Sequence, residues 1–167
     1  RGLCHYLAKK YPDVVFPYPQ TDNVICDQQG RWAWGFRSFV WHDLSTEKMV
    51  DELLDYSPYI EWLVYRNPAF GFAAKGGCNR EAHNHNDVGS FIFAANGKQV
   101  FADVGAGLYT RQYFRDEYRY DYFHPSSCSH SVPILFGNYQ KAGSKYRAEN
   151  AVWDGKTFSF DYAAAYD

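Results

Sequence analysis

The chain has 167 residues, 46% of them hydrophobic, which suits one domain or one and a half with a sizeable core. Its formal net charge of −2 gives no reason to expect a nucleic acid or a membrane as partner. The four cysteines follow neither a CxxC pattern nor a dense disulfide framework, so we expect mostly free thiols in the core, with one disulfide left open. Aromatic residues make up 20% of the chain, which indicates either a β-rich core or surfaces that stack on sugars.

The first third of the chain is predicted to be helical. Residues 2–10 form a helix that ends before Pro12, and the apolar, aromatic run 31–41 predicts a buried helix. Ser45 or Thr46 caps a third predicted helix over residues 45–58. The apolar stripe of this third helix consists of Met49, Val50, Leu53 and Leu54.

After Pro58 the pattern changes to short strand-like runs divided by turn signals. Asn96-Gly97, between "FIFAA" and "KQVFAD", predicts a type I′ hairpin. The run "SHSVPILFG", residues 129–137, predicts a further long strand. Strands and turns at this spacing are typical of an antiparallel β-sandwich, so we expect a mainly β fold.

The run "EAHNHNDVGSF", residues 81–91, places two histidines, two asparagines and an aspartate in five consecutive positions. In an extended conformation His83, His85 and Asp87 would share one face, with the two imidazoles about 6 to 7 Å apart. That separation is too long for both to bind one metal. It would let His85 hold a metal while His83 faces a neighbouring cleft.

Two later residues complete a candidate metal site. Asp103 comes after the predicted hairpin, which returns the chain towards His85, and His130 begins the next predicted strand. Two imidazoles and a carboxylate, with water in fourth place, form a ligand set that zinc accepts. The alternative is a hydrogen-bonded polar corner without metal.

The runs "KGGCNREAHNHNDVGSFIFAANGKQVFADVGAGLYT" and "RYDYFHPSSCSHSVPILFGNYQ" resemble the heparinase II/III-like family of polysaccharide lyases. The likeness covers residues 60–142. It implies an (α/α) toroid followed by an antiparallel β-sandwich, with residues 1–58 as the end of the toroid and 59–167 as part of the sandwich. The fragment would supply the metal site and one wall of the cleft, and we expect little or no activity from it alone.

The resemblance also implies roles for single residues. One structural zinc ion would be held by His85, Asp103 and His130. Catalysis would involve His83, which faces the substrate, and Tyr109, near the bound uronate. The residues expected to bind substrate are Asn84, Arg111, Arg119 and Tyr120.

Such lyases cleave the bond to a uronic acid by β-elimination, and the partner would be an anionic polysaccharide of the glycosaminoglycan or alginate type. Because the proton at C5 is barely acidic, a group such as His83 must neutralise the neighbouring carboxylate. The other partners would be the missing parts of the same chain, and a homodimer stays open. The alternative function is a metal-stabilised β-sandwich that binds carbohydrate without catalysis.

A basic and aromatic segment, "YTRQYFRDEYRYDYF", residues 109–123, also suits an anionic sugar with ring stacking. The competing interpretation is a solvated loop whose acidic residues balance the arginines. Lys75, beside Gly76-Gly77, is a weaker candidate for contact with an anionic sugar.

Overall fold

The computed structural model describes residues 2–15, 36, 39–43, 45 and 50–166. The chain divides into two compact units, Arg1–Leu53 and Leu54–Asp167. The assignment of the first unit to a toroid stays a prediction. In the described parts of the chain, no helix is long and apolar enough to cross a membrane.

The first unit contains helix α1, Gly2–Lys10, as the sequence predicted. Lys9 and Lys10 lie in its last turn, where positive charge is favourable to the helix dipole. The buried His5 ring accepts a hydrogen bond at Nδ1 from the backbone N–H of Asp43, at 2.7 Å. This contact holds the helix against a segment 38 residues further along the chain.

The helices predicted over 31–41 and 45–58 each differ from what the structure shows. Most of 31–41 lies outside the described residues, and Phe36, Phe39 and Val40 are helical but exposed rather than buried. The helix predicted over 45–58 is wrong in its second half, because Leu53–Ser57 is a strand. The spacing of its apolar residues also fits a short strand, and pairing with the next strand overrides the helical pattern. Residues 46–49 lie outside the described residues.

The second unit is mainly β, with antiparallel sheets, as predicted. Its five-stranded sheet has the order β1-β2-β3-β5-β6, and two small sheets pair β4 with β7 and β8 with β9. The strands are β1 (Leu53–Ser57), β2 (Trp62–Arg66), β3 (Phe70–Lys75), β4 (Cys78–Asn79), β5 (Phe91–Ala95), β6 (Lys98–Phe101), β7 (Gly143–Arg147), β8 (Glu149–Trp153) and β9 (Phe158–Asp161).

The β5–β6 hairpin has the predicted turn. Asn96 and Gly97 have φ of 50° and 73°, the left-handed pair that a type I′ turn requires, and Ala95 pairs with Lys98 on either side of it. The register shifts by one residue between Phe93 and Ala94. Such an extra residue bends the strand and changes the direction of the adjoining chain, here the segment that carries Asp103.

The long strand predicted at residues 129–137 is wrong. A 3-10 helix, Ser127–Ser129, precedes His130, and the apolar residues after His130 make only one isolated bridge, between Leu135 and Asn138. Pro133 cannot donate to a strand ladder, and Phe136 has a φ of 53°. The segment therefore ends in a tight two-residue turn.

The interior of the second unit is unusually polar around the 81–91 run. A small apolar cluster of Val88, Ala148 and Ala165 is fully buried, with Phe160, Tyr162 and Tyr166 packed around it. Among the described residues, buried polar side chains outnumber buried apolar ones. Cys4, Cys78 and Cys128 are free thiols, as expected, but Cys4 and Cys128 are exposed and not in the core, and Cys26 lies outside the described residues.

Candidate functional site

Residues 83–87, whose side chains would share one face in an extended conformation, begin with a turn instead. The backbone N–H of Asn84 donates to the carbonyl of Glu81 at 3.2 Å, and His83 has a φ of 59°. This turn separates the side chains that a strand would have placed on one face. His83 and His85 consequently line two different cavities.

The metal-site residues predicted from the sequence do come together, in a chain of hydrogen bonds. His130 Nδ1 lies 2.6 Å from Asp103 Oδ2, and His130 Nε2 lies 3.2 Å from His85 Nδ1. His85 Nε2 lies 3.1 Å from the hydroxyl of Tyr113. Asp103 thus reaches this corner as the hairpin argument predicted.

With both imidazoles neutral, this chain has one consistent direction. A carboxylate only accepts, so His130 Nδ1–H donates to Asp103, and His130 Nε2 accepts from His85 Nδ1–H. His85 Nε2 is then the acceptor for the Tyr113 O–H. Burial and then the neighbouring His130 lower the pKa of His85, which favours the neutral form of the His85 ring.

The carboxyl of Asp103 is held in its charged form. The hydrogen bond from His130 lowers the pKa of Asp103, and the backbone N–H of Gly105, 2.7 Å from Oδ1, lowers it further. A charged Asp103 fixes the orientation of the His130 ring, whose side chain is 1% exposed.

The donor types at this corner fit zinc, but their arrangement fits it only in part. The 3.2 Å between His85 Nδ1 and His130 Nε2 is close to the spacing of two ligands on one tetrahedral zinc ion. Asp103, however, binds the other nitrogen of His130. Within the described residues, no group of three or more His, Cys, Asp or Glu side chains is arranged to hold a metal ion.

The first cavity, here called the sheet cavity, has a volume of about 310 Å³. Its wall consists of residues from strands β2, β3 and β5, and its polar end carries His85, Asp103 and His130. Lys75 lies at the same end, where its ammonium group is 2.9 Å from Asp87 and 3.5 Å from Glu81. Because these two carboxylates already neutralise Lys75, its predicted contact with an anionic sugar loses its electrostatic basis.

The second cavity, here called the His83 cavity, has a volume of about 280 Å³. Three of the residues predicted to bind substrate line it together with His83. The complete lining consists of Arg80, Glu81, Ala82, His83, Asn84, Phe114, Asp116, Arg119 and Tyr120. The structure therefore brings the proposed carboxylate-neutralising histidine and three proposed substrate contacts into one place.

Arg119 is a buried residue that lines the His83 cavity and fixes the backbone beside it. Its guanidinium donates to the backbone carbonyls of Tyr113 at 3.1 Å, His83 at 3.3 Å and Asn84 at 2.7 Å. The side chain is 6% exposed and lies over the ring of Tyr113 at 4.8 Å. Arg119 thus holds the turn that presents His83.

Asn84 and Tyr120 are also tied to the protein. The Tyr120 hydroxyl donates to Asn84 Oδ1 at 3.1 Å, and Asn84 Nδ2 donates to the carbonyl of His85 at 2.8 Å. The Asn84 amide is therefore occupied at both ends. The ring of His83 remains exposed, with Phe114 edge-on at 5.8 Å.

Two predicted residues line neither cavity. Tyr109 is half exposed, but its ring lies edge-on to Phe114 at 4.8 Å, and Phe114 is a wall of the His83 cavity. Arg111 is exposed and lies outside both linings. Tyr109 thus contacts the site through Phe114.

The sequence did not assign Tyr113 and Gln140, two buried residues that organise the site. Gln140 is 4% exposed and bonds both backbone groups of Val88: its Oε1 accepts from the N–H at 3.0 Å and its Nε2 donates to the carbonyl at 2.7 Å. The same Oε1 accepts from Asn79 Nδ2 at 3.1 Å. The only signal for Gln140 was its place in the family-like pattern, and Tyr113 had no signal beyond an aromatic-rich segment.

Comparison with models of known protein families gives no match to this chain. Comparison with curated proteins gives no significant match either.

Proposed function

We propose that this chain is part of a polysaccharide lyase of the heparinase II/III-like type, which cleaves uronate-containing anionic polysaccharide by β-elimination. The observation that carries the proposal is the His83 cavity, where His83, Asn84, Arg119 and Tyr120 come together. The resemblance in residues 60–142 suggested these four residues independently of their positions in space.

The chemistry of this cavity suits the first step of β-elimination. Removing the C5 proton leaves charge that spreads onto the uronate carboxylate, so a donor placed at that carboxylate lowers the barrier. His83 has an exposed ring that can donate a hydrogen bond or carry positive charge. Arg119 keeps the carbonyls beside His83 in place, which lets the ring act from a fixed turn.

Tyr109 is the proposed second catalytic residue on this wall. Its ring packs on Phe114, whose other aromatic neighbours include His83. A tyrosine hydroxyl near the sugar can take or return a proton during the elimination. The remaining acid or base would come from the toroid that we propose accompanies this chain.

Binding of a uronate oligosaccharide tests the proposal directly. Calorimetric titration of the chain with an unsulfated tetrasaccharide that contains glucuronate should show binding, weakened at least about tenfold in His83→Ala, since that change removes the donor at the carboxylate. His124→Ala is the matched control, because His124 lines neither cavity. Absence of binding, or equal affinity in His83→Ala, would contradict the proposal.

The product separates the lyase from the alternative, a sandwich that only binds carbohydrate. β-Elimination leaves an unsaturated uronate that absorbs ultraviolet light. Growth of this absorbance with the intact protein supports the lyase, and tight binding without any product supports the alternative.

Zinc held by His85, Asp103 and His130 belongs to the same proposal, and it requires Asp103 to exchange its hydrogen bond with His130 Nδ1 for the metal. Such an ion would fix the 81–91 run against the sheet, a structural role supported by the close approach of the two imidazoles. Metal analysis of the purified chain should find about one zinc ion per chain, lost in His85→Ala and kept in His124→Ala. A metal-free wild-type chain would contradict the zinc site and would mean that His85, Asp103 and His130 are joined by hydrogen bonds alone.

A further inference from the structure

Two exposed turns of the second unit place an aspartate or asparagine directly before a glycine. Asn96-Gly97 joins β5 to β6, and Asp154-Gly155 joins β8 to β9. The two glycines have φ of 73° and 94°, and at both of them the position of the missing Cβ faces open space. The backbone nitrogen of a glycine in such a turn is accessible, because its own residue has no side chain to cover it. The two turns differ in what holds the side chain before the glycine.

The side chain of Asp154 is held by its own turn. Its Oδ1 accepts a hydrogen bond from the backbone N–H of Thr157 at 2.6 Å and another from that of Lys156 at 2.8 Å. These bonds, the one from Thr157 first, lower the pKa of Asp154 and keep it in the carboxylate form. A carboxylate is a poor target for a nucleophile, so Asp154 is protected from the nitrogen that follows it.

The side chain of Asn96 has no such anchor. Within the part of the chain that the structure describes, its amide forms no hydrogen bond with the protein, whereas its backbone N–H donates to the carbonyl of Ala69 at 2.9 Å. The side chain can therefore rotate towards the nitrogen of Gly97. Its amide carbon carries no negative charge and is a better target for that nitrogen than the carboxylate of Asp154.

We propose that Asn96 is a self-modifying residue, which deamidates without an enzyme because the nitrogen of Gly97 attacks its side-chain carbonyl carbon. A C–N bond forms, and the amide –NH₂ leaves with the N–H proton of Gly97 as ammonia, so that a five-membered succinimide ring remains. Water then opens the ring at either carbonyl and gives aspartate or isoaspartate at residue 96. No electrons are gained or lost, and water is the co-reactant. This inference does not depend on the proposed lyase function.

Isoaspartate at residue 96 would change the hairpin that carries Asp103. It routes the main chain through the side chain and adds one methylene to the two-residue turn between Ala95 and Lys98, whose left-handed geometry sets the pairing of β5 with β6. Strand β6 ends two residues before Asp103, whose Oδ2 lies 2.6 Å from His130 Nδ1. A shift of β6 would lengthen this contact, so the modification reaches the corner formed by the two histidines.

Peptide mapping after incubation in mildly alkaline buffer tests the modification. Isoaspartate should accumulate at residue 96 at least about tenfold faster than at Asn138, because Tyr139 places a side chain beside the attacking nitrogen there. Asp154 should stay unmodified. Gly97→Ala should slow the reaction at residue 96 by a similar factor, since the new Cβ lies beside the nitrogen. Equal rates at Asn96 and Asn138, or an unchanged rate in Gly97→Ala, overturn the inference.

NMR spectra of the histidine rings test the effect on the corner. The aged wild-type chain should show displaced His130 resonances and a melting temperature lower by about 3 °C. Aged Asn96→Gly should show neither change, because glycine cannot deamidate and suits a left-handed turn. Fresh Asn96→Asp is the matched control, since it carries the new charge on an unaltered main chain and should keep the wild-type His130 resonances. Isoaspartate without a change at His130, or the same displacement in Asn96→Asp, overturns the coupling to Asp103.

Discussion

Arg119 is a buried cation whose hydrogen-bond partners are three backbone carbonyls. Its planar fork spans these acceptors, which a single ammonium group cannot do. We expect Arg119→Lys to lower the free energy of unfolding by about 2 kcal/mol, since hydrogen bonds to charged groups are worth more than neutral ones. Urea denaturation measures this change. Arg115→Lys, at an exposed position on the same segment, should stay within about 0.5 kcal/mol of wild type.

His85 makes the stability of the metal-free chain depend on pH. Burial and the neighbouring His130 lower its pKa in the folded chain below the ordinary 6.5. As the pH falls below 6.5, His85 binds a proton in the unfolded chain but stays neutral in the folded chain. The free energy of unfolding therefore falls with pH until His85 is protonated in the folded chain as well. Denaturation in chelator across this pH range should show the slope, and His85→Asn should flatten it. An unchanged slope in that variant, or a flattened one in the exposed neighbour variant His83→Asn, would refute this account.

At the scale of single elements, the β5–β6 hairpin depends on one backbone conformation. Gly97 has a φ of 73° and open space around its missing Cβ, so Gly97→Ala meets backbone strain without a steric clash. We expect a loss of about 1 kcal/mol in thermal or urea unfolding. Gly71→Ala is the control, because its φ is ordinary and its Cβ would lie 3.9 Å from the Tyr65 carbonyl. A larger loss at Gly71 than at Gly97 would show that packing, and not φ, controls these sites.

The same elements show how far sequence patterns reach. Alternating apolar residues and turn signals predicted β2, β3, β5 and β6, and the sequence neighbours β2–β3 and β5–β6 also pair in the sheet. Leu53–Ser57 was predicted as a helix because its apolar spacing fits both structures and its strand partner decides between them. The 129–137 run has strand-like residues, but within the described part of the chain it pairs with no neighbouring strand. A local sequence pattern cannot show whether such a partner strand exists.

Short-range geometry placed one residue of the candidate site. The hairpin predicted Asp103 near the histidines, and Asp103 lies 2.6 Å from His130, whereas the long strand expected to begin at His130 is not formed. The turn at His83 depends on an arginine 36 residues away, and Tyr113 is 28 residues from the His85 that it contacts. Spacing along the chain carries no information about contacts of that kind.

At the scale of the whole second unit, Gln140 joins segments that lie far apart in sequence. Its side chain bonds Val88 and Asn79, and its backbone N–H donates to Ser127 Oγ at 2.9 Å. We expect Gln140→Leu to cost about 3 kcal/mol, because buried donors and acceptors lose their partners while the volume is kept. Urea denaturation gives the cost, and hydrogen exchange should speed up at the amide of Val88.

Gln99→Leu is the control for Gln140→Leu, since Gln99 is exposed on β6. It should leave both the stability and the exchange of the Val88 amide close to wild type. If Gln140→Leu behaves in the same way, the buried amide is not what holds the 81–91 run in place.

The turn at Phe136 and Gly137 separates two anchored parts of this unit. Both residues have positive φ, the Phe136 ring is fully exposed, and Leu135 and Asn138 bridge the base of the turn. On one side His130 is fastened to Asp103, and on the other Gln140 is fastened to Val88. We therefore expect covalent continuity at this turn to be dispensable: after a chymotrypsin nick behind Phe136 both pieces should stay associated, and a tag inserted there should leave the site undisturbed.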